Sequence, residues 1–419
     1  MMQLGVGVLG LLVAAVVLLR PVWALGRSDR SVRIVLGACA IAVVGAAVGR
    51  CAVNVWRPRP WDFPMFYTTA KAGFEGRRFY RPEVLESVFA DVQESLPTVP
   101  GDWLGEAGYF YLPPSVLPWL PLGALGYRAA LVLASTFQIG CLFAAAWWLR
   151  RRVGDPWASF LETIALVFAF RPTQTALGLG QIAPVAVLGL ALAATWTVRR
   201  PLLAGASLAL AFLAKHLVAL LVIPWLLSRR LRPVAAAVVV IAGLFAVSFW
   251  MLPEGTFDDW ARHGPSAAPP FFYTQDVNQS LLAISYRAFG ESPSSGGMLE
   301  AWTFWPFCIG ALALTLATLL GTWRRTSETD RLLAIWTCWA LLLYPSTLYN
   351  TLPILLVPIL LWRSARSDFP WITLLGLIIY GSAVIRPEGG FVAVAATWGI
   401  TLVAWPRIPA AEAGARATA

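Results

Sequence analysis

One carboxylate stands apart in this chain. Asp62 lies in "RPRPWDFPMFYTTA" (57–70), directly after a long apolar run and among aromatics and prolines. A carboxylate beside Trp61, Phe63 and Phe66 is partly desolvated, which makes it a better base. Asp is also a favoured helix N-cap, and Pro64 suits a first helical turn. The two roles are compatible. Candidate cations follow. Arg171 sits in "FAFRPTQTALGLGQ", and Gln181 opens the next apolar run. Lys215 and His216 interrupt "LALAFLAKHLVALLVIP". Ionisable groups at such places are expensive and line functional cavities, although an arginine near a span end also snorkels to the interface. His216 reads as a packing residue. The stretch "FFYTQDVNQSLLAISYR" (271–287) offers Asn278, Gln279 and Arg287 for hydrogen bonding. Asn278-Gln279-Ser280 also fits the N-glycosylation sequon, a common chance match. "YPSTLYNTLPILLVP" (344–358) reads as a tight turn with Tyr349 and Asn350 at its tip.

The elements that must position these residues are apolar. Of 419 residues, 58% are hydrophobic and 13% charged, with a mean hydropathy of +0.68. Soluble domains carry about 25% charged residues. Apolar runs near the bilayer length of about 20 residues recur from end to end. The chain therefore reads as an all-α integral membrane protein, one domain over 1–419. Its net charge of +10 comes almost wholly from arginine, with only Lys71 and Lys215 as lysines. In a multispanning protein that bias marks cytoplasmic loops rather than nucleic-acid binding. The basic clusters are 27–33, 150–152, 198–201, 228–232, 323–325, Arg331, and Arg363 with Arg366. Placing all of them in the cytoplasm gives spans near 4–20, 32–53, 128–149, 157–172, 182–198, 202–214, 216–228, 234–252, 302–322, 332–347, 352–362, 370–385 and 390–406. The expectation is about 11–13 spans, with the N-terminus outside and the C-terminus cytoplasmic.

That topology puts two long loops outside, at 54–112 and 253–300, and loops of this length are usually functional. The first holds "RPEVLESVFADVQESL" (81–96), which predicts an amphipathic helix starting at Pro82. Its acidic polar face suits packing on the protein itself at least as well as on lipid. The start of the chain lacks the basic residues of a cleaved signal peptide. Cys39, Cys51, Cys141, Cys308 and Cys338 form no CxxC, so neither a disulfide framework nor a zinc site is expected. HExxH, Walker A and GxSxG are absent from the sequence. Asp258-Asp259, the only adjacent acid pair, reads as a solvated turn.

In their order along the chain, these features resemble the GT-C glycosyltransferases. The likeness is to glycosyltransferase family 87, the polyprenol-phosphate-mannose-dependent alpha-mannosyltransferases. The matching residues are Asp62-Phe63, Tyr67, Ala70 and Ala72, then "GRRFYRP" (76–82) and "YLPPSVLPWLPLGAL" (111–125). Gly180-Gln181, Lys215 and Asn278-Gln279-Ser280-Leu281 continue the pattern. Two positions depart from it. The late turn has Tyr349-Asn350-Thr351 where many members carry a histidine or an acid pair, and His216 stands in place of a proline.

The resemblance implies a GT-C-like bundle that moves a hexose, mannose in the family, from a polyprenyl-phosphate sugar to an extracytoplasmic glycolipid or glycan. It implies direct displacement with inversion, no metal and no cofactor, in the plasma membrane. One carboxylate suffices as base because the phosphate leaves as a stable anion, whereas glycoside hydrolysis calls for two. Asp62 takes that role. Lys215, Arg171 and Arg287 would hold the phosphate. Tyr67, Gln181, Asn278, Gln279, Tyr349 and Asn350 are the expected substrate-binding residues. The competing class is a transporter or lipid flippase, which broken spans and intramembrane charges also suit. A non-catalytic assembly protein, with Asp62 only a cap, is the third reading.

Overall fold

The computed structural model describes residues 2–20, 24, 28–56, 62–93, 109–150, 155–264, 277–289, 304–323, 328–365, 379–381 and 389–403. It is a helical bundle, as the recurring apolar runs predict. Among the described residues, four helices are long and apolar enough to cross a membrane unaided: Asp29–Trp56, Tyr127–Leu149, Leu231–Met251 and Phe304–Thr322. Leu231–Met251 and Phe304–Thr322 leave most of their surface open, with Val239, Phe249, Ile309 and Leu320 exposed. Such faces suit contact with lipid, where an apolar side chain costs nothing.

The other apolar helices are shorter and more deeply packed. They include Pro156–Ala169, Ala183–Trp196, Pro201–Ala214 and Gly389–Val403. Small residues let them approach closely. A Cβ on Gly205 would meet the Pro233 carbonyl of the Leu231–Met251 helix. The chain also breaks where a single span would run on. The expected 157–172 span stops at Ala169, and a separate helix, Arg171–Leu179, follows. The helix before Lys215 ends at Ala214, and the chain resumes as a 3-10 turn, His216–Leu221, leading into Val222–Leu227. The late turn is likewise a 3-10 segment, Tyr349–Leu355, continued by Leu356–Ala365. The expected 370–385 span lies outside the described residues apart from 379–381.

Among the described residues, ion pairs tie segments that are distant in sequence. Glu162, 2% exposed, receives Arg20 at 2.5 Å and also pairs with Arg363. Nearby in sequence, Arg33 pairs with Asp155 at 3.3 Å. A further cluster joins the two long loops. Arg78 grips Asp259 with two contacts of 2.5 and 2.7 Å and donates to the Gly255 carbonyl at 3.1 Å. Arg81 adds a third contact to Asp259 at 3.1 Å. Asp259 is 2% exposed, so the acid pair is not the solvated turn expected. Its second member is the buried anchor of a loop–loop clamp.

Two further expectations are refined. The Asp29–Trp56 helix runs past Asn54, whose amide donates to the Gly178 carbonyl at 2.7 Å. The first long loop therefore begins after Trp56. Its amphipathic helix is present as Pro82–Gln93, and Leu85, Val88, Phe89 and Val92 are buried against the protein. The lipid-surface alternative is thereby set aside.

The clamp can be tested. Asp259→Ala strands two guanidinium groups and should cost about 1–3 kcal/mol, less than a fully buried pair because both arginines reach solvent. Asp258→Ala should cost little. Thermal unfolding of both variants in detergent measures the difference.

Candidate functional site

Asp62 heads the Phe63–Phe74 helix, with Pro64 in its first turn. It occupies the N-cap position, yet its carboxylate makes no cap hydrogen bond. Its backbone is fixed instead. The Asp62 N–H donates to the Leu179 carbonyl at 3.2 Å, and the Asp62 carbonyl accepts from Phe66 N–H at 3.3 Å. The side chain is thus left to face other elements.

Three groups meet it. Asn350 Nδ2 donates to Asp62 Oδ2 at 3.0 Å. Gln181 hydrogen-bonds to the carboxylate, and the Lys215 charge acts on it. Burial pushes the Asp62 carboxyl above the usual carboxylate value, while Gln181, Lys215 and Asn350 each pull it back toward ionisation. The result is a half-buried carboxylate with its charge partly compensated, a suitable state for a base.

The local chain explains each position. Gly180 closes the Arg171–Leu179 helix in the left-handed region at φ +70°, and a Cβ there would sit 2.6 Å from Phe63 Cβ. Glycine alone allows this turn to lie against the residue after Asp62. Gln138, fully buried, donates to the Gly180 carbonyl at 3.3 Å and holds the turn from the Tyr127–Leu149 helix. Gln181 follows directly. Lys215, 7% exposed, occupies the break after Ala214 in extended backbone. Its Nζ donates to the Tyr111 hydroxyl at 3.1 Å and lies 5.5 Å from that ring's centroid.

The second long loop positions Asn350. Gln279 N–H donates to the Thr347 carbonyl at 2.7 Å, and Tyr349 N–H donates to the Val277 carbonyl at 2.6 Å. Asn278 and Leu348 form an antiparallel bridge between these bonds. The Asn278 amide donates to the Pro345 carbonyl at 2.8 Å, and its Oδ1 accepts from Ser280 N–H at 3.0 Å. Gln279 Oε1 accepts from Phe391 N–H at 3.0 Å, tying the loop to the Gly389–Val403 helix. Arg287 turns back to donate to the Asn278 carbonyl at 3.0 Å.

Of the residues singled out in the sequence, Asp62, Gln181, Lys215 and Asn350 come together. Asn278, Gln279, Arg287 and the Tyr349 backbone build the loop pairing that presents Asn350. Tyr67 donates its hydroxyl to the Leu125 carbonyl at 2.7 Å and packs on Phe63 and Tyr127. Arg171 begins the helix that Gly180 ends, so its backbone lies about 13 Å away along that axis. His216 packs between Tyr111 and Phe212, and the Leu112 N–H donates to its Nε2 at 3.4 Å.

Sequence reasoning passed over Tyr111. It opens the "YLPP" element, but "GYFYLPP" offers two tyrosines and no cue to choose between them. The choice comes from the fold, which puts Tyr111 against Lys215, Gln181 and the Asp62 charge. Gln138 was equally silent as a single amide in an apolar helix.

The Gly180 turn gives a direct test. Gly180→Ala should destabilise by at least about 1 kcal/mol from the backbone alone, with displacement of Phe63 in addition. Gly49→Ala, in mid-helix with open space around it, should be neutral or stabilising. Melting temperatures of the two variants decide.

No curated protein and no solved structure matches the chain. A family model, glycosyltransferase family 87, matches residues 109–349, which include Tyr111, Gln138, Gly180, Gln181 and Lys215; Asn350 directly follows the matched stretch, whereas Asp62 lies well before it. The match spans more than half of the 419 residues, and the chain therefore belongs to glycosyltransferase family 87 as a multi-pass membrane glycosyltransferase.

Proposed function

We propose that the protein moves a hexose, mannose, from a polyprenyl-phosphate sugar to an extracytoplasmic glycolipid or glycan. The reaction is a direct displacement with inversion, without metal or cofactor. Asp62 takes the proton of the acceptor hydroxyl as it attacks the anomeric carbon, and the polyprenyl phosphate leaves as an anion. Lys215, whose charge acts on the base, holds that phosphate. Asn350 and Gln181 orient the carboxylate and stand where sugar hydroxyls would bind. Arg171 and Arg287 are not among the groups that act on the Asp62 carboxylate, so the reading rests the phosphate role on Lys215.

The observation that carries this reading is the Asp62 carboxylate itself. It declines its own helix terminus and is held instead by Asn350, Gln181 and the Lys215 charge. A residue serving only as a cap would bond the N–H groups of its own first turn.

Sidedness follows the same reading. The loops carrying Arg78 and Asp259 touch, so they share one side, together with Asp62 and Asn350. Arg20 and Arg363 meet at Glu162, as expected if their span ends share the other side. Arginine at that second end is consistent with a cytoplasmic face and a cytoplasmic C-terminus in the plasma membrane.

Three outcomes are expected with purified protein and polyprenyl-phosphate mannose. Asp62→Asn should lower transfer by about 10²–10⁴-fold; near-normal rates would remove Asp62 as base. Lys215→Ala should raise KM for the donor, and an unchanged value would take the lysine out of the site. Asn350→Ala removes a hydrogen bond that favours the ionised carboxylate. The Asp62 pKa should rise further, so the acid limb of the kcat/KM profile should move to higher pH.

A further inference from the structure

The Tyr111 hydroxyl is the junction of the site. It accepts from Lys215 Nζ at 3.1 Å. Gln181 hydrogen-bonds to it as well as to Asp62. The Gln181 Oε1 has no partner among the described residues, so the amide offers its NH2 edge to both oxygens. A phenol oxygen has two lone pairs and one proton. Lys215 takes one lone pair, and neither the ammonium nor the NH2 edge of Gln181 can receive the proton, because both are donors only. Among the described residues the Tyr111 O–H has no acceptor, and it lies in a space bounded by a cation and a carboxylate.

The ring is held firmly for that purpose. Tyr111 is buried, and Phe66, Tyr109 and Phe110 pack on it. The Tyr80 hydroxyl donates to the Tyr111 carbonyl at 2.5 Å. The next residue, Leu112, is held through its N–H by His216. A donor fixed in this way needs no reorganisation when charge develops nearby.

We propose that Tyr111 is a catalytic residue that donates a hydrogen bond to the phosphate of the sugar donor, beside Lys215. The proposal rests on the reading of the site given above. The bond from the anomeric carbon to the phosphate oxygen breaks with its electron pair on the phosphate. Lys215 and the Tyr111 O–H then share that charge as paired donors. The acceptor proton goes to Asp62, and the phenol keeps its own. Burial and the Asp62 charge push the phenol well above its usual value, so it acts as a hydrogen-bond donor and not as an acid. Charge-assisted bonds of this type are short and about twice as strong as neutral ones.

The test uses the full-length protein in detergent. Tyr111→Phe keeps the ring and deletes the hydroxyl. Expected are a fall in kcat of about 10–100-fold, from the loss of one transition-state donor, and binding of radiolabelled polyprenyl phosphate weakened by about 10-fold. The acid limb set by Asp62 should persist. If Tyr111→Phe binds polyprenyl phosphate as tightly as wild type and turns over as fast, the proposal is overturned while the function stands, provided Asp62→Asn is inactive in the same assay. A wild-type protein that transfers nothing from any polyprenyl-phosphate sugar overturns both. Should Tyr111→Phe fail to fold, incorporation of 3-fluorotyrosine at position 111 decides. A more acidic phenol should bind polyprenyl phosphate more tightly, and unchanged binding refutes the donor role.

Discussion

The site depends on holding one negative charge where water is scarce. A carboxylate largely withdrawn from water is stable as an anion only if neighbours replace the hydration it loses. Asp62 does not recover that hydration from its own helix, whose N-terminal N–H groups it leaves to others. Its partners come from elsewhere: Asn350 from the late 3-10 segment, Gln181 from the turn after Gly180, and Lys215 from a broken helix. Each must arrive within hydrogen-bond or Coulombic reach. Much of the surrounding architecture can be read as the means of delivering them.

Breaks in helices do most of that delivery. A continuous span offers side chains only along its flanks, whereas a broken one exposes backbone and turns a residue inward. Lys215 sits at such a break in extended backbone, and Gly180 makes another by adopting φ +70° against Phe63. Broken spans are tolerated in a membrane only where protein buries them. The helices that flank these breaks are accordingly short and packed, while the long helices Leu231–Met251 and Phe304–Thr322 carry the exposed apolar faces.

The two long loops act together. Asp259 receives Arg78 and Arg81 across the loops. The paired segments at Asn278 and Leu348 then set the register from which Asn350 reaches Asp62. Asn278, Gln279 and Arg287 thus serve the site at one remove, through backbone geometry. A polar residue in a functional loop is as often a strut as a contact.

Composition, apolar runs and arginine clusters determine from sequence alone that this is a multispanning helical protein with two long loops. They also isolate Asp62 and Lys215, because ionisable groups are rare and costly in apolar surroundings. Gly180-Gln181 is visible for a similar reason, since a glycine next to an amide interrupts an otherwise smooth run. Tertiary structure decides what distance along the chain conceals. Residues 62 and 350 are 288 apart, and Lys215 and Tyr111 are 104 apart. No local pattern reports that they touch. The same holds for the roles of Tyr111, Gln138 and Asp259, whose neighbours come from other helices and loops. Pattern reports burial and periodicity, which are local properties; a site is a set of distances, and only packing sets those.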